Sequence, residues 1–165
     1  MSNTKLFIIA AVILVVAGAM AAVSFDLGES ELDEVRAATE GYQSVAAAEA
    51  AGFVNVNIEE CVASPEGAMG YHYVNFDLLD LELDPQQPEI MVFIPDASQG
   101  LRLGAVEYAV PIEPWDAMYD SPPEVLGQVM HPNPVLGLYV LHVWLYEENP
   151  SGVFADWNPN VSCGI

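Results

Sequence analysis

Three histidines and one glutamate in this chain stand where their neighbours are apolar. In "LGLYVLHVWLYEENPSG", counting by twos places Leu138, Val140, His142, Trp144 and Tyr146 on one face of a strand and Tyr139, Leu141, Val143 and Leu145 on the other. His142 is therefore an imidazole in a segment that is apolar on both sides. "LRLGAVEYAVP" does the same with a carboxylate: Leu101, Leu103, Ala105, Glu107 and Ala109 share a face that Glu107 interrupts. In "GYHYVNF", His72 shares a face with Val74 and Phe76, and His131 sits in "QVMHPNP", just ahead of the strand of His142. A carboxylate buried alone costs several kcal/mol and needs a partner. The cations are few: Lys5 precedes the first apolar run, Arg36 falls in a helical segment, and Arg102 points to the face opposite Glu107. Histidine or a metal ion is left to meet the charge. His72, Glu107 and His142, with His131 as a fourth ligand or outer partner, are a donor set for a divalent transition metal such as Zn, Cu, Fe or Mn. A metal-free buried His/Glu network would satisfy the same residues. The spacing matches no H-x-H or H-E-x-x-H pattern, so sequence alone leaves both open.

The elements that must position these residues are strands preceded by helix. Residues 29–51, rich in Ala and Glu, repeat Leu32, Val35, Ala38, Tyr42 and Val45 at helical spacing, with Ser30 as a cap, Gly52 as a stop and a possible break at Gly41. Strands are expected over 70–78, 89–95, 101–111 and 136–147, the middle two joined as a hairpin by "DASQG". A short helix is expected to start near Pro122 or Pro123. The tail, "NPSGVFADWNPNVSC", is expected to be an ordered, turn-rich coil with Phe154 and Trp157 turned inward. The sum is an α+β fold: one long N-terminal helix packed on a curved antiparallel sheet or small barrel of four to five strands.

Charge narrows the partners. Twenty-four acids face three bases, a net charge of −21, in a chain that is 53% hydrophobic. Such a surface repels nucleic-acid phosphates and anionic lipid headgroups, so nucleic acid is excluded as a partner. Acids spread along the chain with lysine almost absent suit molar salt, where charge acts over only ~3 Å, and a halophilic host is expected. "DLLDLELD" (77–84) lacks the glycine turn of a calcium loop.

Residues 1–23 have the layout of a signal peptide or an N-terminal membrane anchor: a polar start with Lys5, an apolar run from Leu6 to Val23, and Ala19 and Ala21 at A-x-A spacing. Residues 24–165 are then a single exported domain, extracellular or at the cell surface, touching a membrane only through the N-terminal segment. Export makes Cys61 and Cys163, the only two cysteines, an expected disulfide.

The words "ATEGYQSVAAAEAAGF", "GAMGYHYVN", "LGAVEYAVP" and "LHVWLYEENPSGVFADWNPNVSC", in that order, resemble a family of small exported prokaryotic proteins without an assigned activity. The resemblance implies a single exported domain with His72, Glu107 and His142 inside the shared words, and no activity. The functional expectation is an exported or membrane-tethered domain whose His/Glu pocket binds a divalent transition metal or a small ligand. The alternatives are a metal-dependent enzyme with an open coordination position, and a metal-free structural or surface-interaction module.

Overall fold

The computed structural model describes residues 27–56 and 60–164. The signal or anchor reading of residues 1–23 lies outside them, and among the described residues no helix is long and apolar enough to cross a membrane.

The expected long helix is broken. Helix α1 (Leu27–Thr39) ends where Gly41 offers no side chain to pack; a single 3-10 turn (Glu40–Tyr42) follows, and helix α2 (Val45–Ala50) restarts the spiral. The hydroxyl of Ser44 caps α2 by accepting from the Ala47 amide at 3.3 Å. Thr39, fully buried, donates its hydroxyl to the Val35 carbonyl at 2.8 Å, which satisfies a polar group inside the helix-facing core.

Beyond the helices lie β1 (Val54–Asn55), β2 (Val62–Ser64), β3 (Gly67–Val74), β4 (Ile90–Asp96) and β5 (Gly100–Pro111). Then come α3 (Ile112–Asp116), β6 (Glu124–Val125), β7 (Gln128–Val129), β8 (His131–Asn133) and β9 (Leu138–Trp144). A seven-stranded sheet runs β1-β3-β4-β5-β9-β8, with β2 also paired to β3, and every named pair within it is antiparallel. The sheet is open rather than a barrel and has more strands than the four to five expected; the additional ones are pairs and triplets of residues too short to show a period. The helix expected near Pro122 is instead the β6–β7 hairpin. Leu126 and Gly127 turn it with φ of 53° and 66°, the left-handed pair that a two-residue hairpin loop requires.

The central strands are buried on both faces. One face packs Met91, Phe93, Leu103, Val106, Tyr108, Leu141 and Val143 under Val35, Ala48 and Phe53 of the helical side. The other packs Val92, Ile94, Ala105, Ala109, Val140 and Trp144 under the C-terminal segment, including Val161 and Cys163. A bulge decides which residues of β5 belong where. Val92 pairs Ala105 while Phe93 pairs Leu103, so Gly104 is an extra residue in β5. The expected alternation is thereby corrected: Leu101 and Leu103 lie on the helix-covered face, whereas Ala105 and Ala109 join the opposite one.

The second face is closed by a strap. Asn158 and Ala68 exchange backbone hydrogen bonds at 3.1 Å each, and Trp144 donates its indole N–H to Ala155 O at 2.7 Å. The expected disulfide is present, joining Cys61 to Cys163 across 102 residues of sequence. Gly67, at φ 136°, lets the strap approach so closely that a Cβ there would stand 2.3 Å from the Asn158 carbonyl oxygen. Gly67→Ala is therefore expected to destabilise the protein by more than about 2 kcal/mol, through backbone strain and displacement of the strap. A lowered urea midpoint with unchanged slope checks this, and Gly41→Ala, where nothing lies within 4 Å, should leave the midpoint near that of the parent.

Candidate functional site

The strap-covered face is where the polar residues collect. Glu107 sits opposite His142 in the β5–β9 ladder and opposite Ile90 in the β4–β5 ladder. His72 lies one strand further, opposite Val92 on β4. The bulge at Gly104 is what turns Glu107 toward this face in register with His142. Without the extra residue, alternation from Leu103 would put Glu107 beneath the helices.

Burial is nearly complete: relative exposure is 8% for His72, 5% for Glu107 and 0% for His142. His72 Nε2 stands 3.4 Å from Glu107 Oε2. The rings of His72 and His142 meet edge to face, their centroids 6.3 Å apart, and the His142 ring lies 4.7 Å from that of Trp144. Among the described residues, neither ring nitrogen of His142 has a hydrogen-bond partner, and neither has His72 Nδ1. A neutral imidazole carries one N–H donor and one acceptor, so burying both unpaired is costly.

The surroundings disfavour charge on each group. Burial pushes the Glu107 carboxyl up to about 8, and the negative charge of Asp156 adds to the rise. Burial lowers His72 to about 4. It lowers His142 well below the ordinary imidazole value, with His72 and His131 adding repulsion. At neutral pH these shifts favour a protonated Glu107, 3.4 Å from His72 Nε2, beside a neutral and unpartnered His142.

His131 does not join the buried set. It lies on β8 opposite Val140, diagonal to His142, with its Nε2 3.5 Å from Asp156 Oδ2. Those two side chains are 47% and 36% exposed. Asp156 was not singled out from the sequence, because it occupies a turn-rich tail with no periodicity to mark it. Glu89 was also missed. It is buried, its Oε2 accepts the Ala109 amide at 3.0 Å, and burial raises its carboxyl to about 7 against the opposing pull of that hydrogen bond. Arg102, expected on the face opposite Glu107, is brought by the bulge and its pairing with Ile94 onto the same strap-covered face, where it is engaged by Asp96 and Glu147.

Two ligand atoms at 2.0–2.1 Å from a tetrahedral ion are roughly 3.3–3.4 Å apart. The His72–Glu107 separation fits that edge. Among the described residues, no group of three or more His, Cys, Asp or Glu side chains is placed to hold a metal ion. No protein-family model, curated protein or solved structure matches the chain, and the geometry carries the functional argument by itself.

The pKa directions set a pH dependence. Folded Glu107 keeps its proton up to about pH 8, whereas the unfolded carboxyl, at its ordinary 4.5, has lost it. Its contribution is full below 4.5 and is lost as pH rises through 8. The two lowered histidines work oppositely: stability from keeping them neutral is present above 6.5 and lost as pH falls toward 4. Glu89 shares the sign of Glu107, its contribution fading toward pH 7. In chelator, the opposing slopes offset one another from pH 4.5 to 6.5, and stability falls from pH 6.5 to 8. Urea denaturation across that range should show the fall in the parent, and Glu107→Gln should abolish its portion above pH 7.

Proposed function

We propose that this protein is a metal-binding domain in which His72, Glu107 and His142 hold one divalent transition ion on the strap-covered face of the sheet. The observation that carries the reading is His142: a fully buried imidazole with neither nitrogen partnered, beside a carboxylate and a second imidazole already in ligand-edge contact. An ion would accept the lone pairs of both rings and supply the positive charge that a buried, ionised Glu107 lacks. Two imidazoles and one carboxylate favour Zn²⁺, Cu²⁺ or Fe²⁺ over Mn²⁺, which prefers all-oxygen sites.

A metal-free core has one observation in its favour, the His72–Glu107 contact, which satisfies a neutral pair. It leaves His142 unexplained. A metal-dependent enzyme would need a coordination position open to substrate, and the near-complete burial of all three side chains favours a held ion over turnover. The same reading puts the domain outside the cell or at its surface. The Cys61–Cys163 disulfide and the apolar Leu6–Val23 run support that placement, and the family resemblance agrees with it. The −21 charge supports a high-salt setting.

Metal analysis of the full chain, purified without chelator and then reloaded with Co²⁺, tests the site. One ion per chain and a visible Co²⁺ spectrum of tetrahedral intensity are expected in the parent. His142→Ala and the nearly isosteric Glu107→Gln should each retain less than about a tenth of that occupancy, in line with the loss of one of three ligands. Substoichiometric metal in a folded parent would sink the reading and leave His142 a core residue.

A further inference from the structure

An ion bound by His72, Glu107 and His142 must cross the cover above them. Two of the cavities among the described residues, of about 330 and 360 Å³, are not lined by those three residues. The first lies between Ala63–Ala68 and the end of the strap, the second beside Arg36 and Glu147. Two half-exposed side chains, His131 and Asp156, are paired with each other, and His131 lies on the strap-covered face opposite Val140.

Their placement is specific. His131 faces Val140 on the neighbouring strand, which sets it on the same face as His142 and one diagonal step away, where side chains still reach each other. Asp156 hangs from the strap between two fixed points. On one side Ala155 O holds the Trp144 indole; on the other the fully buried Asn158 is tied to Ala68 and, through its side-chain amide, to Glu148 O at 3.1 Å. The part-exposed Asp156 carboxylate thus hangs from a segment pinned on both sides. His131 Nε2 and Asp156 Oδ2 are 3.5 Å apart, again near the edge of a tetrahedral coordination sphere. Imidazole and carboxylate are both transition-metal ligands, and two of them bind an ion weakly enough to pass it on. The charges of the pair act on the buried residues, Asp156 on Glu107 and His131 on His142.

We propose that His131 and Asp156 form the port of the buried centre, a two-ligand station that takes a divalent transition ion from solvent and hands it to Glu107 and His142. The proposal rests on the metal-binding reading of His72, Glu107 and His142. The pair is kinetic in its role: it lowers the barrier in both directions and leaves the final occupancy to the buried three.

Stopped-flow fluorescence on the chelator-stripped full chain tests it, with Co²⁺ alone as the probe and quenching of Trp144, 4.7 Å from His142, as the readout. A Trp144→Phe control identifies the signal. Asp156→Asn and His131→Gln change partly exposed side chains and should leave the fold intact, checked by the urea midpoint. Each is expected to slow Co²⁺ uptake about tenfold and its release to excess chelator by a similar factor, while occupancy at saturation stays at one ion and affinity stays within about twofold. The slowing should persist in about 2 M NaCl, where field effects reach no further than ~3 Å. Slowing that vanishes in that salt would mean that Asp156 only steers charge, and would overturn the port. Unchanged rates in both variants, with Co²⁺ bound by the parent, would overturn the port alone. No Co²⁺ bound by the parent would overturn the buried site and the port with it.

Discussion

Strands β4, β5 and β9 carry apolar side chains on both faces, and a sheet built that way has to be covered twice. Everything else in the molecule follows from how the two covers differ. The helical side is an ordinary amphipathic cover, in which Val35, Ala48 and Phe53 bury a stripe against Phe93, Tyr108 and Val143. The strap side has no helix. It is irregular backbone, and such a segment has few apolar side chains to spend against its own conformational entropy. It is kept in place by backbone exchange between Asn158 and Ala68, by the Trp144–Ala155 hydrogen bond and by the Cys61–Cys163 disulfide. The cross-link closes a long loop, the case in which restricting the unfolded chain helps most, by ~2–4 kcal/mol in the chain-entropy description.

A cover held by directional contacts can tolerate polar residues beneath it that a close-packed helix would not. Polar groups in the helix-facing core are hydrogen-bonded, Thr39 to Val35 O and the Tyr108 hydroxyl to Pro85 O. The strap-facing core holds His72, Glu107 and His142 together with small residues, Ala105 and Ala109, that leave room around them. The acidic surface adds to the effect. With two arginines among the described residues, each engaged with acidic or carbonyl oxygens, no cation is at hand to neutralise Glu107. The carboxyl therefore keeps its proton or finds a metal.

What could be read from the residues was whatever repeats. Period-two alternation in "LYVLHVW" identified β9 and its double burial, and the same count placed Glu107 inside a strand. His72 Nε2 lies 3.4 Å from Glu107 Oε2, within reach of the histidine partner that the scarcity of Lys and Arg suggested. Failures came where one residue alters the count. Gly104 inserts a bulge and moves Leu101 and Leu103 to the other face, although Glu107 still joins His142. Gly41 splits one expected helix into two. The β6–β7 hairpin turns on Leu126-Gly127 rather than on the Asn-Gly or Asp-Gly pairs that announce such turns, and flanking prolines made it look like a helix start. His131, expected as a fourth ligand or outer partner, lies at the rim, where a three-residue strand sets its register by pairing with Val140, which no local pattern encodes. Asp156 depends entirely on long-range strap contacts.

The strap and the buried group are coupled in one direction more than the other. Its anchors, Asn158 to Ala68 and Trp144 to Ala155, use backbone groups and an indole, none of which changes charge when Glu107 loses its proton or when an ion arrives. On the proposed reading the cover would therefore stay closed over either state, and the fold would not depend on the ion, unlike small domains whose metal supplies the folding energy. On that reading an ion would compete with the Glu107 proton. Since that proton is held by burial, and burial is maintained by the strap, tightening the cover makes the carboxyl a better proton holder and raises the free energy any cation must offset. Loosening it lets water reach Glu107 and weakens both partners' hold. On that reading the affinity of the site would be set by the depth of a cover that is fixed elsewhere, and this is why the positions of Gly67 and the disulfide bear on the chemistry beneath the strap.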